Sequence, residues 1–355
     1  MTSRRSETTL EPAADPHGSQ GAAPDVVRGS RWNWRTVVER QEFAVFIVAV
    51  ILFVYFGASS PQFLTEFNIV TLVDFIAPVA VISFGEVMLL TLGEMDLSAG
   101  TIFIFMPFVT QALFSAGVPL LLAILITLVV GALIGVVNGL IVVVFGLPSF
   151  ITTLGTLFAL DGIMLVVTNA NEATMPTSGT TVEKIFGLGR WSEILWALAM
   201  LIVMYLILHR SRMGLHITAT GGNRTGAAEA GIPVKRVIVW AFVMSGVLAT
   251  LIGIIDATRV GTIDPGDPGT TEMFYAMAAA VIGGTATTGG RGTQIGAVIG
   301  ATVFGILYVG FTLKGINANA FVLILGIAIL VAMAVNVQLS RVTQRRGGSK
   351  GRRSK

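Results

Sequence analysis

Residues 117–145 read GVPLLLAILITLVVGALIGVVNGLIVVVF, twenty-nine residues without one ionisable side chain. A hydrocarbon core of about 30 Å is crossed by about 20 helical residues, so this stretch alone is long enough to span a bilayer. It is also long enough to be tilted, or broken at Gly131, Gly135 or Gly139. The rest of the chain has the same character. Of its 355 residues 54% are hydrophobic and 12% charged, against about 25% charged in an average soluble domain. A soluble fold of this size has no interior large enough for so much apolar surface. The 41 glycines and 12 prolines are scattered through apolar runs, a pattern that membrane helices tolerate. Gly without a period of three excludes collagen, and the lack of any cysteine excludes a disulfide framework, a thiolate zinc site and a cysteine nucleophile.

Working outward from 117–145, the apolar runs predict ten spans, at 43–58, 69–92, 97–115, 117–145, 148–168, 192–209, 235–258, 273–284, 294–312 and 319–338. The fold class is therefore an all-α polytopic membrane protein with about ten transmembrane helices, some broken at Gly-rich segments. Residues 1–42 are polar, with too few apolar groups to fold alone, and read as a disordered cytoplasmic tail rather than a secretory signal. Residues 339–355 form a basic tail, whose position behind an apolar run suits anionic lipid better than nucleic acid. With ten spans and an inner N-terminus, one side collects Arg28, Arg31, Arg35, Arg40, Arg210, Arg212, Arg224, Lys235, Arg236, Arg291 and the tail cations. The other side receives Lys184, Arg190, Arg259 and Lys314. Cations favour the cytoplasmic side, which places both termini there. The longest inner connection is 210–234, and the largest outer segments are 169–191 and 259–272.

Ionisable groups at membrane depth are costly and are functional candidates by default. They are Asp74, Glu86, Glu94, Asp96, Asp161 and Asp256. Asp74, Asp161 and Asp256 also fit span ends or backbone hydrogen bonding, whereas Glu86 sits well inside its run. Gly93-Glu94-Met95-Asp96-Leu97-Ser98-Ala99-Gly100 directly precedes an apolar run, so Asp96 or Ser98 could cap the third span. A second glycine-rich break runs from Gly283 to Gly292. Irregular backbone at membrane depth is allowed only where protein or water covers it, so both breaks are pathway lining, a partner-contact surface or tight turns between short helices. No GxxxxGK[ST] and no HExxH occurs, and His17, His209 and His216 lack metal-ligand spacing.

Four patches, in order, resemble the permease subunits of ribose/xylose-type bacterial ABC importers, in the superfamily that includes branched-chain amino acid and nucleoside permeases. They are Gly93 to Gly100 (G-x-x-D-L-S-x-G), Pro148 to Thr156 (P-x-F-I-x-T-L-G-T), Gly221-Gly222-Asn223 running to Gly231-Ile232, and Gly283 to Gly292 (G-G-T-x-x-x-G-G-R-G). The similarity covers about residues 43–338. The family usually has Gly where Glu94 stands, and Arg224 and Glu229 exchange the charges usual in the third patch. The resemblance implies a homodimer of permeases with cytoplasmic ATPase subunits, an extracytoplasmic sugar-binding protein and no nucleic acid. It implies ATP and Mg2+ on the ATPase only, no cofactor or metal on this chain, no covalent chemistry here, and a place in the bacterial cytoplasmic membrane. Candidate pathway residues are Glu94, Asp96, Ser98, Asn138, Phe150 and Thr153. The ATPase-coupling loop is Gly222, Asn223, Arg224, Ala227, Ala228, Glu229 and Gly231, with small residues suited to a groove in a partner. Two other readings stand beside this one: an ion-coupled carrier built on the intramembrane carboxylates, and a non-transporting scaffold or receptor. A permease for nucleosides or amino acids is the nearer variant.

Overall fold

A computed structural model of the chain describes residues 41–316, apart from 177, 178, 190 and 268, and beyond them 323, 326, 327 and 330. The expected tails (1–42, except its last two residues, and 339–355) lie outside the described residues. So does the tenth span, 319–338, except for those last four positions, which are helical.

The helices are α1 (Gln41–Ser59), α2 (Glu66–Leu92), α3 (Ala99–Ser115), α4 (Leu120–Phe145), α5 (Ser149–Thr168), α6 (Ser192–Arg210), α7 (Arg212–Gly222), α8 (Arg224–Glu229), α9 (Val234–Val260), α10 (Thr270–Ile282) and α11 (Gln294–Leu313). Seven of these are long and apolar enough to cross a membrane: α1, α2, α4, α5, α6, α9 and α11. Two residue pairs, Ala173 with Ile263 and Thr174 with Thr262, form an antiparallel ribbon, β1–β2, that ties the segment after α5 to the end of α9. Nine of the ten predicted spans thus coincide with helices.

Burial sorts the helices into an inner and an outer set. The apolar window of α2 is 94% buried and that of α9 72%, whereas α4, α5 and α6 have 28% each and present Leu, Val and Ile outward. A helix buried all round must be apolar all round, which is why α2 shows hardly any polar face. The longest apolar stretch is not broken: α4 is continuous through Gly131, Gly135 and Gly139. These three glycines lie four apart, on one face, where α4 meets Gly246 and Thr250, Phe242 and Val239 of α9. Small residues at that spacing let two membrane helices approach backbone to backbone. They serve packing and introduce no kink.

Hydrogen bonds between distant segments identify two opposite ends of the bundle. At one end Lys314, just after α11, donates to Ser59 O at the end of α1, and Arg259 at the end of α9 reaches Asp74 near the start of α2. At the other end, Gly290 N donates to Thr91 O in the last turn of α2 (2.8 Å), and Arg224 donates to Leu92 O (3.1 Å). We call these the Arg259 end and the Arg224 end. Two helices do not run the full distance. At 1.5 Å per residue, α3 and α10 are about 26 and 20 Å long, short of a 30 Å core. Their first turns meet inside the bundle, where Gly100 lies against Gly269 and Met273 so closely that neither glycine has room for a Cβ. From there α3 runs toward the Arg259 end and α10 toward the Arg224 end. The electropositive starts of these two short helices therefore face one another inside the bundle.

Candidate functional site

The Gly93–Gly100 segment enters the bundle from the Arg224 end. Gly93 ends α2 with φ 77°, and its N–H returns to Leu89 O and Leu90 O. This left-handed conformation is easy for glycine and strained for most other residues. The chain then folds back inward, and Asp96 becomes fully buried. Its Oδ1 accepts from Ser98 N (3.0 Å) and Ser98 Oγ (2.5 Å), and its Oδ2 accepts from Ser245 Oγ of α9 (2.9 Å). Ser98 Oγ in turn accepts from Asn138 Nδ2 of α4 (2.9 Å), and Asn138 Oδ1 accepts from Thr156 Oγ1 of α5 (2.6 Å). Leu97 N donates to Thr153 Oγ1 and Met95 N to Ser149 Oγ, both on α5. Asp96 N faces Glu86 Oε2 of α2 at 3.5 Å. The start of α3 is thereby fastened to four other helices. The expected cap is absent: Ser98 occupies the N-cap of α3 but bonds no first-turn N–H, because its hydroxyl is engaged by Asp96 and Asn138.

A cavity of about 510 Å3 lies between this junction and the Arg259 end. Phe75, Pro78 and Val79 of α2, Phe103 and Ile104 of α3, and Tyr275 and Tyr308 of α10 and α11 give it apolar and aromatic walls. Asp74, Asp256, Arg259, Asp267 and Glu272 supply its charge. Phe75 and Tyr308 stack with centroids 4.7 Å apart. Arg259 is the electrostatic hub. Its Nε donates to Glu193 Oε1 of α6 (2.6 Å), Nη2 to Asp256 Oδ1 (2.7 Å) and Nη1 to Asp74 Oδ2 (3.4 Å). A planar guanidinium can serve three carboxylates in this way, whereas an ammonium point charge cannot do so with the same geometry. Glu272 keeps one carboxylate oxygen without a hydrogen-bond partner among the described residues.

At the Arg224 end, α7 and α8 form the segment 210–234. Ser211 caps α7 by accepting from Gly214 N (3.3 Å), and Asn223 caps α8 by accepting from Gly226 N (3.0 Å). Gly231, with φ 82°, turns the chain out of α8. Gly221 and Gly290 close on Thr91 from two sides, so the third and fourth of the four sequence patches touch one another across the end of α2. Arg224 pairs with Glu94.

The structure thus brings Asp96, Ser98, Asn138 and Thr153 together as one buried network, and none of the four lines the cavity. Glu94 lies apart from them, 5% exposed, in the ion pair with Arg224. Phe150, 49% exposed, is in the first turn of α5 and faces outward. In the coupling loop, Gly222, Asn223, Arg224, Ala228, Glu229 and Gly231 are exposed, while Ala227 turns into the chain. Sequence reasoning placed Arg259 in an outer loop and held Asp74 and Asp256 as intramembrane candidates that also fit span ends. The structure shows one four-residue charge cluster completed by Glu193. Its local signal was Asp256 and Arg259 three apart on a helix; the long-range partners carried none.

Residues 68–333 match the family described as branched-chain amino acid transport system / permease component. The chain is 35% identical to the xylose/arabinose import permease protein XylH of Sulfolobus acidocaldarius, over 88% of this chain and 89% of that protein. It is 32% identical to the D-allose transport system permease protein AlsC of Escherichia coli, over 84% and 93%. To the ribose import permease protein RbsC of Escherichia coli it is 29% identical, over 87% and 97%. No solved structure matches the chain.

Proposed function

This chain belongs to the branched-chain amino acid transport system permease-component family, and we propose that it is the membrane-spanning subunit of an ATP-driven importer for a pentose or hexose. The cavity carries the reading. Its volume falls within the range of small-molecule sites, and its walls combine aromatic faces, suited to the C–H face of a sugar ring, with carboxylates, suited to accept from sugar hydroxyls. The relatives named above, for xylose and arabinose, allose and ribose, support the same solute class.

In this reading the Arg259 end opens outward and receives the solute from a binding protein, and the Arg224 end faces the cytoplasm. Arg210, Arg212, Arg224, Lys235, Arg236 and Arg291 then lie on the inner side, as the cation bias of membrane proteins favours. The exposed face of α8, with Thr225, Ala228 and Glu229, together with Gly222 at the end of α7, is the surface offered to an ATPase partner. ATP and Mg2+ belong to that partner, a second permease copy completes the path, and this chain performs no covalent chemistry. Both termini are cytoplasmic. A conformational cycle is driven only if the ATPase contacts the two states differently, and α7–α8 is where such a difference enters. The relatives give the ion-coupled carrier no support, and Arg259 compensates Asp74, Asp256 and Glu193; Glu86, fully buried with Oε1 unpartnered among the described residues, is the acid that reading would rest on.

The test is uptake of labelled xylose, ribose and allose into vesicles holding the chain with its ATPase partner. The expected result is uptake that requires ATP, survives an uncoupler and is lost with Ala228→Trp together with the bound ATPase. Uptake without any ATPase present, or its collapse on uncoupling alone, would overturn the assignment.

A further inference from the structure

We propose that the Arg224–Glu94 pair is the strut through which movement of the α7–α8 segment reaches the Gly93–Gly100 turn and the floor of the cavity. The inference rests on reading α8 as the ATPase-docking helix. Arg224 is the first residue of α8, directly after its Asn223 cap, so it moves with that helix. Its guanidinium holds two groups of one short turn, Leu92 O at the end of α2 (3.1 Å) and the carboxylate of Glu94. The Glu94 side chain is 7% exposed and that of Arg224 49%, so the carboxylate lies in the protein while its partner reaches in from the surface. Separating them would leave a buried charge uncompensated, which is far costlier than breaking a surface pair. Among the described residues no other salt bridge joins α7 or α8 to a spanning helix or its end.

What lies beyond Glu94 makes the contact consequential. Two residues further on, Asp96 is held by Ser245 of α9, and Ser98 by Asn138 of α4. Leu97 is held by Thr153 of α5, and Gly100 abuts the start of α10. The turn is therefore short and stiff: pulled at Glu94, it must shift the origin of α3 and with it Phe103 and Ile104 in the cavity wall. The Gly290 to Thr91 hydrogen bond fixes the adjoining end of α2. Arg224 acts as a positioning residue and does not touch solute.

The experiment uses the full chain assembled with its ATPase partner and binding protein in vesicles, and reads solute imported per ATP hydrolysed. Arg224→Gln and Glu94→Gln should keep ATPase copurification and ATP hydrolysis while the import ratio falls roughly tenfold, the scale of a typical coupling free energy. Arg224→Lys, which keeps the charge and loses the fork, should lie between. The reversed pair, Glu94→Arg with Arg224→Glu, should recover part of the loss. If Glu94→Gln does not assemble, the half-exposed Arg224→Gln decides alone. An unchanged ratio in Arg224→Gln overturns the strut. Loss of ATPase binding in that variant also overturns it, making Arg224 a docking contact. A parent complex without ATP-driven uptake instead overturns the function proposed above, so the two failures are distinguishable.

Discussion

Asp96 and the Asp74–Glu193–Asp256 cluster both place carboxylates within the helix bundle, one at its interior and one at the Arg259 end, and the protein treats them in opposite ways. Asp96 has no cation beside it: two serine hydroxyls and a backbone N–H satisfy it in a fully closed site. The Arg259 cluster is balanced by one guanidinium and borders an open cavity, with Arg259 itself one-third exposed. A buried carboxylate satisfied by neutral donors of its own turn and of α9 braces that turn, since moving α9 breaks a bond in low dielectric. A carboxylate that shares a cation beside water can exchange that partner for a solute hydroxyl at modest cost. Residue type alone therefore does not separate fully enclosed from cavity-facing acids here; the source of the compensating hydrogen bonds does.

The largest expected effect comes from removing the brace. Asp96→Ala should strand Ser98 and Ser245 and destabilise the protein by about 3 kcal/mol, given about 1–3 kcal/mol for each buried donor left unsatisfied. Asp96→Asn, which keeps the shape and one acceptor, should cost about 1 kcal/mol. Thermal melting of the detergent-purified protein compares them, and equal melting temperatures for Asp96→Ala and the parent would erase the contrast. Arg259→Gln should have an intermediate effect. It leaves the 2% exposed Glu193 without its cation, at a cost of about 2 kcal/mol after allowing for the exposed side of the cluster. Arg259→Lys should recover little of that stability, because an ammonium lacks the fork. The smallest stability effect is expected for Glu272→Gln, within about 0.5 kcal/mol as at other partly exposed positions, with a changed KM for uptake. An unchanged KM together with unchanged stability would remove Glu272 from the solute-facing set.

Much of the fold was legible because the bilayer imposes a length rule. Runs of about 20 apolar residues are needed to cross, and α1, α2, α4, α5, α6, α9 and α11 each fall where such a run lies. The two short helices, α3 and α10, were legible as short runs. Their meeting at Gly100 and Gly269, inside the bundle, was not, since residues 169 apart carry no shared local pattern. Gly131, Gly135 and Gly139 show the limit from the other direction. As isolated letters they fit either a break or a packing face, and only the presence of α9 against them decides for packing.

The candidate site divides in the same way. Periodicity, charge and motif order by themselves determined a polytopic helical membrane protein, a distinctive Gly93–Gly100 turn, and a small-residue helix between Gly222 and Gly231. Those features are local, governed by hydrophobic length, by glycine's access to positive φ and by side-chain capping. Tertiary structure alone decided that Asp96 is fully buried against Ser245, that Ala227 faces inward, that Arg224 meets Glu94 across 130 residues, and that Arg259 gathers three acids from three helices. The reason is physical: the energy of a buried charge depends on which donors or counter-charges lie within about 4 Å of it, and helix packing sets that distance while chain order does not.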